Sequence, residues 1–354
     1  MATTPHTEMR SGFLPDRIVH LHPTRLCNLA CLHCYSESSP RLKDALDLDP
    51  LRHALTLLKG EGYGQISISG GEPLMYAPLV PLIDHAHAIG FRVTMITNGL
   101  FSSRRMAEVV SRLDGVAISF DGLAEAHNRI RGRTDAFERA SAALARLADS
   151  GRSVAAAISL TRDGIPELPD LVDHLVGLGA KALQVRPVAF AGRARTMEGA
   201  SIYTAADQAR LYLVVLALKE ELGDQARIQC DLAPARSLWQ QREDYAALLA
   251  SCVEQCEGDL PDRLLADLVN PLVITETGAL KPIAYDFNPC FNVASIETLS
   301  YERLTYYKLN NLQGLQTLIG RALARLQGNE GLIDWFDYCT RLSEEANDLQ
   351  RRVN

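Results

Sequence analysis

The chain has 354 residues, of which 47% are hydrophobic and 22% charged, and its formal net charge is −7. This is a globular composition that argues against a disordered chain, and the acidic balance argues against nucleic-acid binding. The chain has no apolar run of 18 residues, and residues 1–10 lack the apolar core of a signal peptide, so we expect a cytoplasmic protein without membrane segments. In such a protein, the eight cysteines are expected to be metal ligands or reactive thiols rather than disulfides.

In roughly the first 200 residues, short apolar runs alternate with amphipathic segments. The apolar runs predict six strands, at Ile18–Pro23, Gln65–Ser69, Phe91–Thr97, Gly115–Phe120, Ser153–Leu160 and Ala182–Pro187. The segments between them predict helices, from Asp49 to Gly60 and at Pro78–Ile89, Ser102–Leu113, Ala136–Ser150 and Ile165–Leu178. Strands that alternate with helices indicate a parallel sheet with right-handed crossovers. Because six units are fewer than the eight of a closed barrel, the sequence predicts an open, partial (β/α)6 TIM barrel.

The alternation ends after about Gly199, and the remaining chain predicts a mixed α+β domain. We predict helices at Ala205–Leu222, Pro234–Leu249, Tyr301–Gln327 and Leu332–Arg351, a short strand at Ile228–Asp231, and a hairpin of Leu272–Thr275 and Leu280–Ala284. The predicted organisation is an N-terminal tail at 1–16, a barrel at 17–199 and a C-terminal domain at 200–354.

Three cysteines, Cys27, Cys31 and Cys34, follow the first predicted strand at its carboxyl end. Three thiolates within eight residues can bind one metal centre, and three ligands leave a coordination position open, as in catalytic sites. The spacing alone also allows a zinc site completed by His22 or His33.

Further segments follow the carboxyl ends of successive predicted strands. They are Gly70-Gly71-Glu72-Pro73, Asn98-Gly99, Ser119-Phe120-Asp121-Gly122, His127-x-x-x-Arg131-Gly132, and Arg186-Pro187 with Gly192-Arg193-Ala194 downstream. Together with Cys-x-x-x-Cys-x-x-Cys and the aromatic residue Tyr35, this series over residues 15–200 resembles the radical SAM superfamily, and specifically its peptide-modifying branch. The hairpin and its Gly278, Pro282 and Cys290 are similar to the SPASM or twitch extension of that branch.

The resemblance implies a [4Fe-4S] cluster held by Cys27, Cys31 and Cys34, with the fourth iron free to bind S-adenosylmethionine (SAM). Reduction would cleave SAM to a 5′-deoxyadenosyl radical that abstracts a substrate hydrogen atom. It also implies a cofactor-binding set of Tyr35, Gly70, Gly71, Glu72, Asn98, Ser119, Asp121, Arg131, Ser159 and Arg186. The ring of His33 is not expected to take part.

Simpler interpretations of these residues stay open. Gly-Gly-Glu-Pro alone is also a plain turn, and Asp121-Gly122 is a common turn dipeptide. Arg131 and Arg186 are equally compatible with surface ion pairs. Ser159 is also compatible with a hydrogen-bonded core hydroxyl. Arg129 and Arg133 are interpreted as parts of a solvated loop.

The C-terminal cysteines leave an auxiliary Fe–S cluster open. Cys252, Cys256 and Cys290, with Cys230 as a further candidate, are numerous enough to hold one, but Ile283 stands where the extension often has cysteine after Pro282. A domain without a cluster is the favoured interpretation, with Cys230 and Cys339 in the core. Residues 285–288 are then candidates for the wall of a substrate pocket.

Three functions remain in competition. The first is a radical SAM enzyme that acts on a peptide and forms a cross-link, an epimer or an oxidised product, as in ribosomal-peptide maturation. The second is a radical SAM enzyme for a small metabolite such as a tetrapyrrole, and the third is a non-catalytic zinc-binding adaptor. Only 26 residues precede Cys27, so leader recognition is expected from a separate protein or the C-terminal domain. An electron donor of the flavodoxin or ferredoxin type is the other expected partner.

Overall fold

The computed structural model describes residues 17–197, 203–245, 248–249 and 260–353. The predicted tail at 1–16 lies outside these residues. The strands are β1 (Ile18–Leu21), β2 (Gln65–Ile68), β3 (Arg92–Thr97), β4 (Gly115–Phe120), β5 (Val154–Leu160), β6 (Ala182–Pro187), β7 (Arg227–Cys230), β8 (Leu232–Pro234), β9 (Leu272–Ile274), β10 (Ala279–Pro282), β11 (Ala294–Ser295) and β12 (Leu332–Asp334).

The helices account for most of the remaining described chain. They are α1 (Leu48–Gly60), α2 (Leu79–Ala88), α3 (Ser103–Val110), α4 (Ala124–Arg131), α5 (Ala136–Asp149), α6 (Leu168–Gly177), α7 (Ala205–Leu222), α8 (Ala235–Gln240), α9 (Leu265–Leu268), α10 (Tyr301–Asn310), α11 (Leu312–Leu326) and α12 (Trp335–Val353). Across the described ranges, no helix has the length and apolarity needed to cross a membrane.

One ten-stranded sheet organises the molecule, in the order β11-β10-β9-β1-β2-β3-β4-β5-β6-β7. The strands from β9 and β1 through β7 are parallel, whereas β10 and β11 run antiparallel to their neighbours. In the described part of the chain, no pairing joins β7 to the other edge of the sheet, so the barrel is open. The partial α/β barrel that the sequence predicts is confirmed.

The hairpin of the C-terminal region extends this sheet. Strand β9 pairs with β1 from Val19↔Leu272 to Leu21↔Ile274. The predicted C-terminal domain therefore contributes β7 to one edge of the barrel sheet and the hairpin to the other.

Several of the predicted helices are wrong in part. The predicted helix at Pro234–Leu249 ends at Gln240 and is followed by a 3-10 turn, Arg242–Tyr245. The predicted helix at Tyr301–Gln327 is divided at Asn311 into α10 and α11. The segment predicted as a helix from Leu332 begins as β12, which pairs with β8, and α4 was not predicted.

The two faces of the barrel sheet differ in side-chain size. On the outer face, large apolar side chains of β3 to β6, such as Ile118 and Ile158, are fully buried in the core beside the helices. On the inner face, β4 and β5 place small half-buried residues at alternate positions, namely Gly115, Ala117, Ser119, Ala155, Ala157 and Ser159. Closed barrels fill this space with bulky branched side chains. The small residues therefore fill the inner face less than in a closed barrel, and we call the space beside them the chamber.

Candidate active site

The three-cysteine loop, residues 24–39, leaves the carboxyl end of β1 and covers one end of the chamber. Bridges between Thr24 and Ala45 and between Leu26 and Ser39 hold its two ends. Cys27 and Cys31 are buried, each with 7% exposure, and Cys34 is half-buried. The loop thus directs thiols inward from a backbone that is fixed at both ends.

The electrostatic surroundings of the thiols are mixed. Burial, and after it the charge of Glu72, raises the pKa of Cys27 to about 12. Burial also raises the pKa of Cys31 to about 11, although the positive charge of Arg131 opposes the rise. The neutral thiols of Cys27 and Cys31 are therefore favoured at neutral pH when no metal is bound, and metal binding must release their protons.

The donor set of three thiols fits an Fe–S cluster. Cluster ligands bind separate iron atoms, so their sulfurs do not have to converge on one point. No three His, Cys, Asp or Glu side chains converge on a single-ion site in the ranges that the structure describes. His22 and His33, the histidines of the zinc interpretation, have other partners in this structure: the His22 ring nitrogens lie near Tyr35 and Ser69, and His33 bonds to Asp121. These contacts do not test the zinc interpretation itself.

The two glycines after β2 allow two loops to meet. A Cβ atom at Gly71 would lie 2.4 Å from the Leu26 carbonyl oxygen, and one at Gly70 would lie 3.0 Å from that of Thr24. The Gly71 N–H donates to Thr24 O at 2.8 Å. The close approach that the glycines permit is thus to the backbone of the three-cysteine loop.

Glu72 is buried with 1% exposure and accepts hydrogen bonds within the chain. Its donors are the Thr97 hydroxyl at 2.7 Å, the Asn98 N–H at 2.9 Å and the Leu74 N–H at 3.2 Å. Burial raises its pKa, whereas these donors oppose the rise. Glu72 therefore ties the end of β3 to the loop after β2.

Asp121 is the centre of a buried charge network beneath the cysteines. Its carboxylate pairs with Arg131 through two guanidinium nitrogens and accepts from His33 Nε2 at 2.7 Å. Burial opposes ionisation, but the charges of Arg131 and His33 outweigh it and hold the Asp121 pKa well below its usual range. The His33 ring was not expected to take part in the site, and that expectation is wrong, because the ring forms a hydrogen bond with Asp121 in this network.

The other predicted cofactor residues lie around the chamber. Asn98 is buried, and its Nδ2 donates to Asn28 Oδ1 at 2.7 Å and lies 4.0 Å from Cys27 Sγ. Ser119 and Ser159 are half-buried on the inner face. Arg186, also on that face, forms an ion pair with Asp231 at 3.4 Å. Tyr35, next to Cys34, places its hydroxyl 3.3 Å from His22 Nδ1.

The C-terminal cysteines that the structure describes lie in different environments. Cys290 is exposed and lines a cavity of about 410 Å³ with Arg321 and Leu318. Cys339 is fully buried, and Cys230 is half-buried. Cys252 and Cys256 lie outside the described residues. The favoured interpretation, a domain without an auxiliary cluster, therefore stays a prediction, and the auxiliary cluster stays its alternative.

Sequence reasoning assigned no role to the side chains of Arg193 and Asp231. Arg193 donates to the carbonyl oxygens of Cys31 and Ser38, both at 2.8 Å, and so braces the three-cysteine loop. Asp231 accepts from Gln184 Nε2 at 2.9 Å as well as facing Arg186. Arg193 lies in the Gly192-Arg193-Ala194 segment, which could have indicated it. No motif marks Asp231.

Comparison with known proteins supports the same site. The profile of the Radical SAM superfamily matches residues 21–175. A curated relative is the AdoMet-dependent heme synthase of Oleidesulfovibrio alaskensis, 32% identical over 202 residues, which are 56% of this chain and 52% of the relative. Another is the antilisterial bacteriocin subtilosin biosynthesis protein AlbA of Bacillus subtilis, 29% identical over 176 residues, which are 49% of this chain and 39% of AlbA. The chain thus spans about half the length of such relatives or less.

A solved structure shares the fold over most of the chain. SuiB of Streptococcus suis, solved with S-adenosylmethionine and with its precursor peptide SuiA, superposes with a TM-score of 0.62 at 16% identity. The match covers 85–86% of this chain and 68% of SuiB. The likeness to SuiB shows the shared fold, and the profile match identifies residues 21–175, which include Cys27, Cys31 and Cys34, as a radical SAM domain, a family that uses a [4Fe-4S] cluster and SAM.

Proposed function

We propose that the protein reductively cleaves SAM and uses the resulting radical to modify a peptide. The observation that carries the proposal is the loop of Cys27, Cys31 and Cys34 at the mouth of a chamber lined by small residues. When bound, the cluster and SAM supply a 5′-deoxyadenosyl radical that abstracts a hydrogen atom. The chain itself supplies the ligands, the chamber and the exclusion of water.

Each part of the chain has a distinct task in this proposal. Cys27, Cys31 and Cys34 hold the cluster, while Arg193 braces the backbone of their loop through two carbonyl oxygens. The Arg131 guanidinium, beside Cys31, places positive charge near that thiol and favours its ionised form. The inner-face residues Ser119, Ser159 and Arg186 present polar groups to bound SAM or substrate.

A peptide substrate is supported by two similar proteins. AlbA is a bacteriocin biosynthesis protein, and SuiB has been solved with the precursor peptide SuiA. The partner proteins proposed for this chain are a leader-binding protein and a one-electron donor of the flavodoxin or ferredoxin type. Relatives that are heme synthases favour a second candidate, a tetrapyrrole or other small metabolite.

Cluster assembly and SAM cleavage test the first part of the proposal. After anaerobic reconstitution we expect about four irons per chain, and about eight would indicate an auxiliary cluster. With dithionite and SAM, the wild type is expected to form 5′-deoxyadenosine, and Cys31→Ala is expected to form none. Cys339→Ala, at a core cysteine that belongs to no candidate cluster, is the matched control and should retain both iron and cleavage. Undiminished cleavage by Cys31→Ala would contradict the cluster assignment.

The substrate class needs a separate measurement. Mass spectrometry after anaerobic turnover with SAM should detect a mass change in a precursor peptide encoded beside the protein. A change in a tetrapyrrole but in no peptide would favour the second candidate. SAM cleavage without either change would leave the cofactor chemistry intact and reject both substrates.

A further inference from the structure

Two residues of the C-terminal hairpin form a close contact that no part of the proposed function uses. Tyr285 follows β10, and its hydroxyl lies 2.9 Å and 2.8 Å from the two carboxylate oxygens of Glu276. Glu276 lies in the turn between β9 and β10, with a side chain that is only 6% exposed. A buried carboxylate is costly unless it is hydrogen-bonded or paired. The tyrosine hydroxyl is thus the principal donor that makes this carboxylate's position stable.

The ring of Tyr285 packs against the three-cysteine loop and the end of β1. Its centroid lies 5.1 Å from that of Tyr35 in an edge-to-face arrangement and 4.9 Å from that of His22. The His22 ring in turn lies 3.3 Å from the Tyr35 hydroxyl and 3.4 Å from that of Ser69. Edge-to-face aromatic pairs of this spacing are directional and favourable. Tyr35, the neighbour of Cys34, is therefore held between β1 and the hairpin.

A second connection runs from the same carboxylate to the same loop. Arg25 Nε lies 3.8 Å from Glu276 Oε1 and donates to the Ser36 carbonyl oxygen at 3.1 Å. Lys281 Nζ donates to the Tyr285 carbonyl oxygen at 2.9 Å, which fixes the backbone that carries the ring. The ring contact of Tyr285 thus reaches Tyr35, and the contact of Glu276 with Arg25 reaches Ser36. Tyr35 and Ser36 are the two residues directly after Cys34.

We propose that Glu276 and Tyr285 are positioning residues that set the placement of Cys34 by holding Tyr35 and Ser36. The hairpin thereby acts on the cluster through the three-cysteine loop without ligating it. This inference rests on the proposed function, because it assumes that Cys34 is a cluster ligand. Supporting residues behind a metal ligand commonly change metal affinity or activity by about 10–100-fold when they are replaced.

The test compares Tyr285→Ala, which removes the ring, with Tyr285→Phe, which removes only the hydroxyl. The readouts are the EPR spectrum and midpoint potential of the reduced cluster and the rate of SAM cleavage with dithionite. We expect Tyr285→Ala to shift the spectrum and slow cleavage by about 10-fold. Tyr285→Phe keeps the ring contacts, so its changes should be smaller and in the same direction. Tyr306→Ala and Tyr306→Phe, at an exposed tyrosine of α10, are the matched controls and should match the wild type.

The outcomes separate this inference from the proposed function. A wild type that binds no cluster or cleaves no SAM would overturn the proposed function itself. A functional wild type whose two Tyr285 variants share its spectrum, potential and rate would overturn only the positioning role. If Tyr285→Ala does not fold, a Tyr285→Phe variant identical to the wild type in all three readouts would overturn it equally.

Discussion

At the scale of single residues, the most consequential group is Asp121, which is fully buried against Arg131 and His33. Replacement by Asn removes the charge and leaves the Arg131 guanidinium buried without its counter-ion. Breaking a buried ion pair in this way costs about 3–5 kcal/mol. We expect that loss in the free energy of unfolding of the metal-free Asp121→Asn protein, measured by denaturant titration at pH 7. Asp135→Asn, at an exposed ion pair, is the control and should leave that free energy nearly unchanged.

The same carboxylate predicts a pH dependence with a definite sign. Its folded-state pKa is depressed, so its contribution to stability is complete above the unfolded value of about 3.9 and is lost as the pH falls toward the folded value. The difference in stability between wild type and Asp121→Asn should therefore shrink below about pH 4. A difference that stays constant down to pH 3 would contradict the depressed pKa.

Gly192 is a second residue of the site, and the addition of a single Cβ atom there would affect the three-cysteine loop. Its φ is +51°, and a Cβ there would lie 2.3 Å from the Tyr35 carbonyl oxygen and 2.5 Å from that of Cys34. We expect Gly192→Ala to displace the three-cysteine loop and to lower the iron bound after reconstitution. Gly151→Ala is the matched control, because its φ is +79° but a Cβ there would meet nothing within 4 Å. Equal iron content in the two variants would show that the contact with the loop is unimportant.

The candidate site was only partly predictable at this scale. Cys27, Cys31 and Cys34 are adjacent in sequence, so their spacing alone indicates a common centre. The partners Tyr285 and Glu276 lie about 250 residues from the three-cysteine loop, and only the pairing of β9 with β1 brings them there. Local sequence carries no signal for such a contact. The His33 ring was missed for the same reason, since its partner Asp121 follows another strand.

At the scale of elements, α10 is joined to α1 by a buried ion pair. Lys308 is 3% exposed, and its Nζ donates to Glu61 Oε2 at 2.7 Å and to the Arg263 carbonyl oxygen at 2.7 Å. Glu61 also accepts from the Leu265 N–H at 2.7 Å. One carboxylate thus connects the end of α1, the start of α9 and the last turn of α10.

Removal of the lysine should therefore be strongly destabilising. Lys308→Met leaves Glu61 buried and unpaired, and we expect a loss of about 3–5 kcal/mol in the free energy of unfolding. The double variant Lys308→Met with Glu61→Gln should recover part of that loss, because no buried charge remains. Lys219→Met, at an exposed position of α7, is the control and should be nearly neutral. Equal losses in the single and double variants would contradict a charge-based explanation.

Strands and helices were predictable where the pattern of apolar residues and the length of the segment indicate the same element. β4 and β6 have their predicted bounds because their flanking residues are turn formers and their alternation is regular. β8 and β12 have three residues each and form only by pairing with one another, so neither shows a local pattern. The break at Asn311 interrupts a continuous helical periodicity, which therefore predicted one helix where two exist.

At the scale of the whole molecule, one sheet contains strands from both sides of the predicted domain boundary. That boundary, between residues 199 and 200, lies outside the described residues. The C-terminal region supplies strands on both sides of β1 to β6. It also packs on the barrel through Lys308, and the Tyr63 hydroxyl donates to the Val269 carbonyl oxygen. We infer that the two parts are mutually dependent in stability.

Equilibrium unfolding can test this dependence because both tryptophans, Trp239 and Trp335, lie in the C-terminal region. Their fluorescence reports on that region, whereas far-UV circular dichroism reports on the helices of the entire chain. For the metal-free protein we expect the two signals to give one coincident transition in denaturant. Separate midpoints would indicate that the barrel and the C-terminal region unfold independently.

The small residues on the inner face have a consequence for how this molecule can be altered. Ala117, Ala155 and Ala157 are half-buried on the inner face, whereas their strand neighbours on the outer face are fully packed. An added methyl group at these alanines would therefore displace a ligand or solvent before it strained the core. The inner face of these strands thus determines how much space the chamber offers, and the outer face of the same strands packs in the core that stabilises the fold. Single substitutions on the inner face can therefore narrow the range of molecules that the chamber admits, while the protein continues to fold.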